Sequence, residues 1–187
     1  MASTKTKSAP APNEFRLVQW TESTGEAELR SAFRNKSAWV VSAPAGAASW
    51  YSTVLNNLGC RYAIREPASI DAVREVLTRG LTRAAFNRLK AVLDVSSEQL
   101  SEVIRVPPRT IARREVFKPD ESERILRVAA AFQRAIEVIG DIPQARRWFS
   151  TPKQALGGKT PFEFCDTEPG AEEVVNLLGR IEHGVFS

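Results

Sequence analysis

From Ser69 onward the chain repeats one kind of punctuation. A residue able to cap a helix is followed by an apolar stripe at three- and four-residue spacing, then by a glycine or proline. That rhythm describes helices joined by short turns. Ser69 caps a helix through Thr78, with Ile70, Val73, Val76 and Leu77 apolar and Gly80 at its end. Thr82 opens a second, buried through Phe86, Leu89, Val92 and Leu93. Ser96-Ser97-Glu98-Gln99 is a capping box for a short helix carrying Leu100, Val103 and Ile104. Arg105-Val106-Pro107 breaks it, and Pro108 suits the start of another short helix, Arg109 to about Val116. Asp120 with Glu123 is expected to cap a longer helix, striped by Ile125, Ala129, Phe132, Ile136 and Ile139 and ended by Gly140. Asp141 and Gln144 cap the next, with Ala145, Trp148 and Phe149.

The last stretch, Trp148 to Ser187, is equally dense in signals. Thr151-Pro152 and Gly157-Gly158 mark turns, and Thr160-Pro161-Phe162-Glu163 is a second capping box. After Thr167, the residues Ala171, Val174, Val175, Leu178 and Ile181 stripe one helix face up to Gly184. Val185, Phe186 and Ser187 follow: an apolar pair and a terminal residue that either tuck back onto the core or plug a partner's pocket.

Upstream the text is less legible. Met1 to about Asn13 is small, polar and proline-bearing, as expected of a disordered tail. Glu26–Arg34 and Ala47–Leu58 have helical spacing, the second stopping at Gly59. Trp39-Val40-Val41 is a short apolar run in which helix and strand are not separable. Trp20, Trp39 and Trp50 are assigned to packing. The 187 residues suffice for a real core in one or two domains, with no apolar run long enough for a membrane span, and the lysine-bearing start, with no apolar stretch after it, is expected not to be a secretory leader. The two cysteines, Cys60 and Cys165, lack metal-ligand spacing and fit a reducing cytosol. A net charge of +4 hints at a polyanionic partner.

That charge is concentrated. Ser97–Glu115 has the cadence of a helix-turn-helix, with Leu100, Val103, Ile104, Val106 and Ile111 as its apolar hinge. Its second helix carries Arg109, Thr110, Arg113 and Arg114, with Lys118 just after. Arginine forks match phosphates and guanine edges, so these five residues are the candidate DNA contacts; the competing reading is a solvated basic face. Two features depart from the usual motif: Arg105 stands where glycine is common in the turn, and Pro107 where a Ser or Thr cap is usual.

Enzymatic chemistry has little to work with. His183 is the only histidine, and a Cys165–His183 pairing would lack an activating third group. Gly157-Gly158-Lys159-Thr160 fails the P-loop spacing and follows no strand. The chain is therefore expected to be no enzyme, with no catalytic residue, metal site or cofactor.

Trp148, the run Ala155-Leu156-Gly157-Gly158-Lys159-Thr160-Pro161, Gly170-Ala171 and Leu177-Leu178-Gly179-Arg180-Ile181-Glu182-His183-Gly184 together resemble the toxin-binding domain of the Xre/MbcA/ParS antitoxin family. The likeness is to antitoxins paired with RES-domain toxins, close at the C-terminal end and looser back to about Ser69. The fold class expected is all-α, a helical bundle containing a helix-turn-helix followed by a small helical toxin-binding domain. The divisions are a tail (1–14), an N-terminal segment of unclear role (15–66), an Xre-like helix-turn-helix domain (67–119) and a toxin-binding domain (120–187). The resemblance implies a cytoplasmic type II antitoxin that silences an NAD-degrading RES toxin. It also implies autorepression at a palindromic operator, as a homodimer or a higher hetero-oligomer with toxin. It implies, too, that the C-terminal end approaches the toxin's active-site cleft. Gly184, Val185, Phe186 and the Ser187 carboxylate would form the tip, flanked by Arg180, Glu182 and His183. Fixing the four tip residues costs roughly 4–8 kcal/mol, whereas burying Phe186 returns only about 1.5–3 kcal/mol. A larger interface must therefore do most of the anchoring. Two other classes stay open: a helix-turn-helix regulator whose C-terminal part dimerises or senses a small molecule without a toxin partner, and an adaptor that binds no DNA.

Overall fold

The computed structural model describes residues 15–20, 26–34, 38–42, 47–60 and 69–184. The expected tail (1–14) and the tip Val185–Ser187 lie outside the described residues, as does the side chain of Trp20. In chain order the elements are β1 (Arg16–Trp20), α1 (Glu26–Arg34), β2 (Ala38–Ser42), α2 (Ala47–Asn57), α3 (Ile70–Arg79), α4 (Arg83–Leu93), α5 (Ser97–Val103), α6 (Pro108–Arg113), α7 (Pro119–Ile139), α8 (Ile142–Ser150), a 3-10 turn (Gln154–Leu156), α9 (Pro161–Phe164) and α10 (Glu168–Glu182). The fold is all-α in its bulk, as expected.

The caps explain the boundaries. Ser69, Thr82, Asp141 and Thr167 each accept a backbone N–H from the first turn they precede, and Ser96 and Thr160 complete reciprocal capping boxes with Gln99 and Glu163. Gly157 and Gly158 are both left-handed, at φ 65° and 82°, as a turn requires. Helix α7 begins earlier than expected. Pro119 takes its first position, and Glu121 reaches back to accept the Lys118 N–H at 2.8 Å, displacing the expected Asp120–Glu123 cap. Asp120 instead pairs with Arg124 one turn on, at 2.6 Å.

Helix α6 is shorter than expected, ending at Arg113 rather than near Val116. Arg114 is extended, and the backbone beyond it runs beside the start of α4: Arg83 N donates to Glu115 O and Phe117 N to Leu81 O. This close passage dictates Gly80, where an added Cβ would sit 2.1 Å from Phe117 O.

Helix α7 is the spine. Ile125, Leu126, Val128, Ala129, Ala131, Phe132, Ala135 and Ile136 are buried around it, touching β2, α2, α3, α4, α8 and α10. The ambiguous run Trp39-Val40-Val41 is a strand. β2 pairs in parallel with β1, Val18 opposite Val40, with α1 as the crossover. Full burial suits its Val and Trp content. The outward edge of β2 is closed by side chains: Asn57 Oδ1 accepts the Val40 N–H at 2.8 Å, and Asn57 Nδ2 donates to Val40 O at 2.7 Å. Gln133, fully buried on α7, accepts from Trp39 Nε1 at 2.7 Å and from Asn57 Nδ2 at 3.2 Å, and donates to Val40 O and Glu137. Glu137 also accepts from Trp50 Nε1 at 2.7 Å, and burial pushes its carboxyl above the usual range. Trp39 and Trp50 thus pack, as expected, while their N–H groups help fasten the N-terminal strands and helices to α7.

Replacing Gln133 by Ala leaves the Trp39 indole N–H short of its acceptor in a fully buried site. Urea denaturation should show a loss of about 2–4 kcal/mol, well above the cost of an exposed Gln→Ala change.

Candidate functional site

The helix-turn-helix has the geometry its spacing suggests. Leu100, Val103, Ile104, Val106 and Ile111 are all buried and set α5 against α6. Arg105 lies in the left-handed region at φ 52°, the conformation for which glycine is the ordinary residue. Two contacts support it. Its guanidinium meets Asp166, before α10, at 2.7 Å, and Arg124 of α7 donates to the carbonyls of Ile104 and Arg105 at 3.2 and 3.3 Å. Pro107 provides no side-chain cap to α6; its carbonyl accepts from Thr110 N and Ile111 N.

The structure separates the five candidate DNA contacts. Arg109 and Arg113 are exposed on α6, and no hydrogen bond or ion pair engages their side chains among the described residues. Thr110, half-buried, lies between them in sequence. Arg114 is half-buried and turned toward Glu121 of α7, at 3.3 Å. Lys118 is exposed at the N-terminus of α7. Sequence reading missed Arg83, which donates to Ala112 O at 2.9 Å and pairs with Glu115, holding the end of α6 against α4. Its only signal was its position directly after the Thr82 cap.

The C-terminal region is assembled around a second unforeseen arginine. Arg127, one turn beyond Arg124, donates to Cys165 O and Asp166 O, both at 3.2 Å, and meets Glu168 at the same distance. It therefore holds the corner between α9 and α10. In that corner an added Cβ at Gly170 would lie 1.9 Å from Phe164 O, so only glycine fits. The Cys165 thiol is buried and pushed up to about 12 by desolvation, and that of Cys60 to about 11; both stay protonated and poorly nucleophilic at neutral pH.

The predicted partner-binding residues Arg180, Glu182, His183 and Gly184 gather at the C-terminal end of α10, while Val185, Phe186 and Ser187 lie outside the described residues. Arg180 meets Glu173 at 2.9 Å, and Glu182 is paired with Arg134 of α7. His183 is exposed, its Nε2 3.8 Å from Glu182, and Gly184 is left-handed at φ 66°. Elsewhere in the C-terminal region, Lys153 stands over the Trp148 ring at 5.2 Å, and burial lowers the pKa of its ammonium. Among the described residues, no group of three or more His, Cys, Asp or Glu is placed to hold a metal, and no helix is long and apolar enough to cross a membrane.

Comparison with known proteins finds two domain matches along the chain. Residues 71–130 match the Antitoxin Xre-like helix-turn-helix domain, and residues 134–184 match the Antitoxin Xre/MbcA/ParS C-terminal toxin-binding domain. An "Antitoxin Xre" of Photorhabdus laumondii subsp. laumondii is 41% identical over 117 residues, covering 60% of this chain and 79% of that protein. The chain belongs to the Xre antitoxin family. The "Antitoxin Xre" of Yersinia enterocolitica serotype O:8 is 42% identical over 95 residues, 46% of this chain. The match spans 64% of that protein's length, just under two thirds. A third, from Pseudomonas putida, is 35% identical over 83 residues, 42% of this chain and 52% of its own. These relatives are named as antitoxins and not as enzymes. In this Xre-family chain, Arg127 and the Arg105–Asp166 pair link the two matched regions, whereas Arg124 braces the turn within the helix-turn-helix match.

Magnitudes rank the contacts at Arg105. The left-handed conformation costs an L-residue about 1–2 kcal/mol, and an exposed ion pair such as Arg105–Asp166 returns about 0.2–1 kcal/mol. Arg105→Gly should therefore leave stability unchanged or raise it slightly. Arg124→Ala, which strips donors from two turn carbonyls, should lower it by about 1–2 kcal/mol. Paired thermal melts check the order.

Proposed function

We propose that this Xre-family chain is a cytoplasmic type II antitoxin. Through residues 120–187 it binds and neutralises a cognate NAD-degrading RES-domain toxin, and through residues 67–119 it binds operator DNA and represses its own transcription. The observation that carries this reading is the presence, on one continuous core, of two domain matches with complementary roles. One is a helix-turn-helix that leaves Arg109 and Arg113 exposed and engaged by none of the described residues; the other matches a toxin-binding domain.

For DNA, the placement of the arginines sorts their roles. Arg109, Thr110 and Arg113 sit on α6, the helix that would enter the major groove, and Lys118 suits a flanking phosphate. Arg114 is held back by Glu121, so we assign it chiefly to fixing α6 against α7. Six residues of recognition helix offer few base contacts, which favours a dimer engaging two half-sites about one helical turn apart. For the toxin, the end of α10 presents His183 and Gly184, with Arg180 and Glu182 pre-positioned by their ion pairs. Residues Val185, Phe186 and Ser187 follow in sequence, and we assign them to the same toxin contact.

Three outcomes test the proposal. Co-expression with the RES-domain protein of the adjacent reading frame should give a stable complex in which NAD consumption is silenced. If operator binding survives while no such protein is retained, the chain is a regulator without a toxin partner. Arg109→Ala with Arg113→Ala should weaken operator binding at least about tenfold and lower the salt slope by roughly 2, with an unchanged melting temperature. Deleting Val185–Ser187 should leave operator binding and fold intact while weakening toxin silencing. Rescue of toxin-expressing cells equal to that of the full chain would rule out the tip's role.

A further inference from the structure

Helix α10 contains two interior glycines, and the fold accounts for only one of them. Gly170 is forced by the Phe164 carbonyl, 1.9 Å from where its Cβ would stand. An added Cβ at Gly179 would meet nothing within 4 Å among the described residues, and its φ lies outside the left-handed region. A helix interior prefers alanine to glycine, because glycine loses more backbone freedom on folding. The described fold thus gives no reason for a glycine at 179.

One turn earlier, on the same flank of the helix, stands Val175. The apolar spacing suggested that it joins the buried stripe, but Val174 takes the fully buried place and Val175 is 37% exposed. An exposed branched apolar residue and an unexplained glycine therefore lie side by side, bordered by the exposed Glu172 and Asn176.

We propose that Val175 and Gly179 form a contact floor on the outer face of α10, on which the backbone or a flat side chain of the toxin lies directly. Glycine permits the close approach, and Val175 supplies the apolar area that the C-terminal tip alone lacks. The occupant is the toxin because both residues fall within the segment matching a toxin-binding domain, and the floor is continuous with the Arg180–Gly184 end of the helix. The inference rests on the toxin reading above.

The test uses the full chain and the purified RES-domain protein of the adjacent reading frame. Gly179→Ala should raise the melting temperature of the free chain by about 1–4 °C and yet weaken toxin binding about tenfold. Gly179→Leu should weaken it further, and Val175→Ser should weaken it without changing the fold. Ile70→Ser, at an apolar residue of α3 that is 53% exposed, should leave binding unchanged. A fall in melting temperature for Gly179→Ala would overturn the proposal by giving the glycine a role inside the chain. Unaltered affinity of the Gly179 variants would overturn it equally. If the unsubstituted chain does not hold the toxin, the functional reading falls and this contact with it, a result visible in the wild-type arm before any variant is compared.

Discussion

The burial of α7 on most of its circumference is the constraint on which the described structure depends. An exposed helix needs only one apolar stripe, whereas this one must satisfy neighbours on several sides at once. Ile125, Val128, Ala129, Phe132, Ala135 and Ile136 are essentially inaccessible to solvent. Fully burying an Ile, Val or Phe contributes about 1.5–3 kcal/mol, against about 1 kcal/mol net for a typical hydrogen bond, so the apolar contacts set the stability. The polar residues among them set the geometry. Ser122 accepts the Leu81 N–H and donates to Lys118 O, and Gln133 joins α7 to β2 and α2. Ser122 and Gln133, both buried polar groups, are each used to locate a neighbour.

Arginines do the same work at the margins. Arg124 and Arg127 are neighbours on α7, yet one attends the turn of the helix-turn-helix and the other the entry to α10. Arg83 and Arg114 restrain the end of α6 from two sides. A basic composition is therefore a poor census of nucleic-acid contacts in this molecule. Around the helix-turn-helix, Arg83, Arg105, Arg114, Arg124 and Arg127 are occupied by backbone carbonyls or carboxylates, whereas no described residue engages Arg109 or Arg113.

The helical part was legible in the sequence because its boundaries are written in local chemistry. Ser96 with Gln99, Asp141, Thr160 with Glu163 and the Gly157-Gly158 turn need no tertiary knowledge. The misplacements have tertiary causes. The end of α6 is drawn out by pairing of residues 115–117 with the start of α4, some thirty positions earlier, which no window of sequence reveals. Val175 was indistinguishable from Val174 by spacing alone, since either fits a stripe three or four residues from its neighbours. The strand pair was illegible for another reason: its partners are separated by a helix, and five residues rich in Val and Trp carry no period. At the candidate sites, residue type was readable but commitment was not. Nothing in the order of letters distinguishes Arg113, which is open to solvent, from Arg114, which answers Glu121.

A two-stranded sheet ordinarily offers two raw margins to any extended peptide that drifts past. Here one margin is guarded by an impostor: the carboxamide of Asn57 gives Val40 the same pair of bonds that a third strand would give. Because that amide is anchored to Gln133 of α7, an invading chain must dislodge the central helix's own tether before it can zip onto β2. Resistance to unwanted accretion on that side is thus a by-product of how the small sheet is moored.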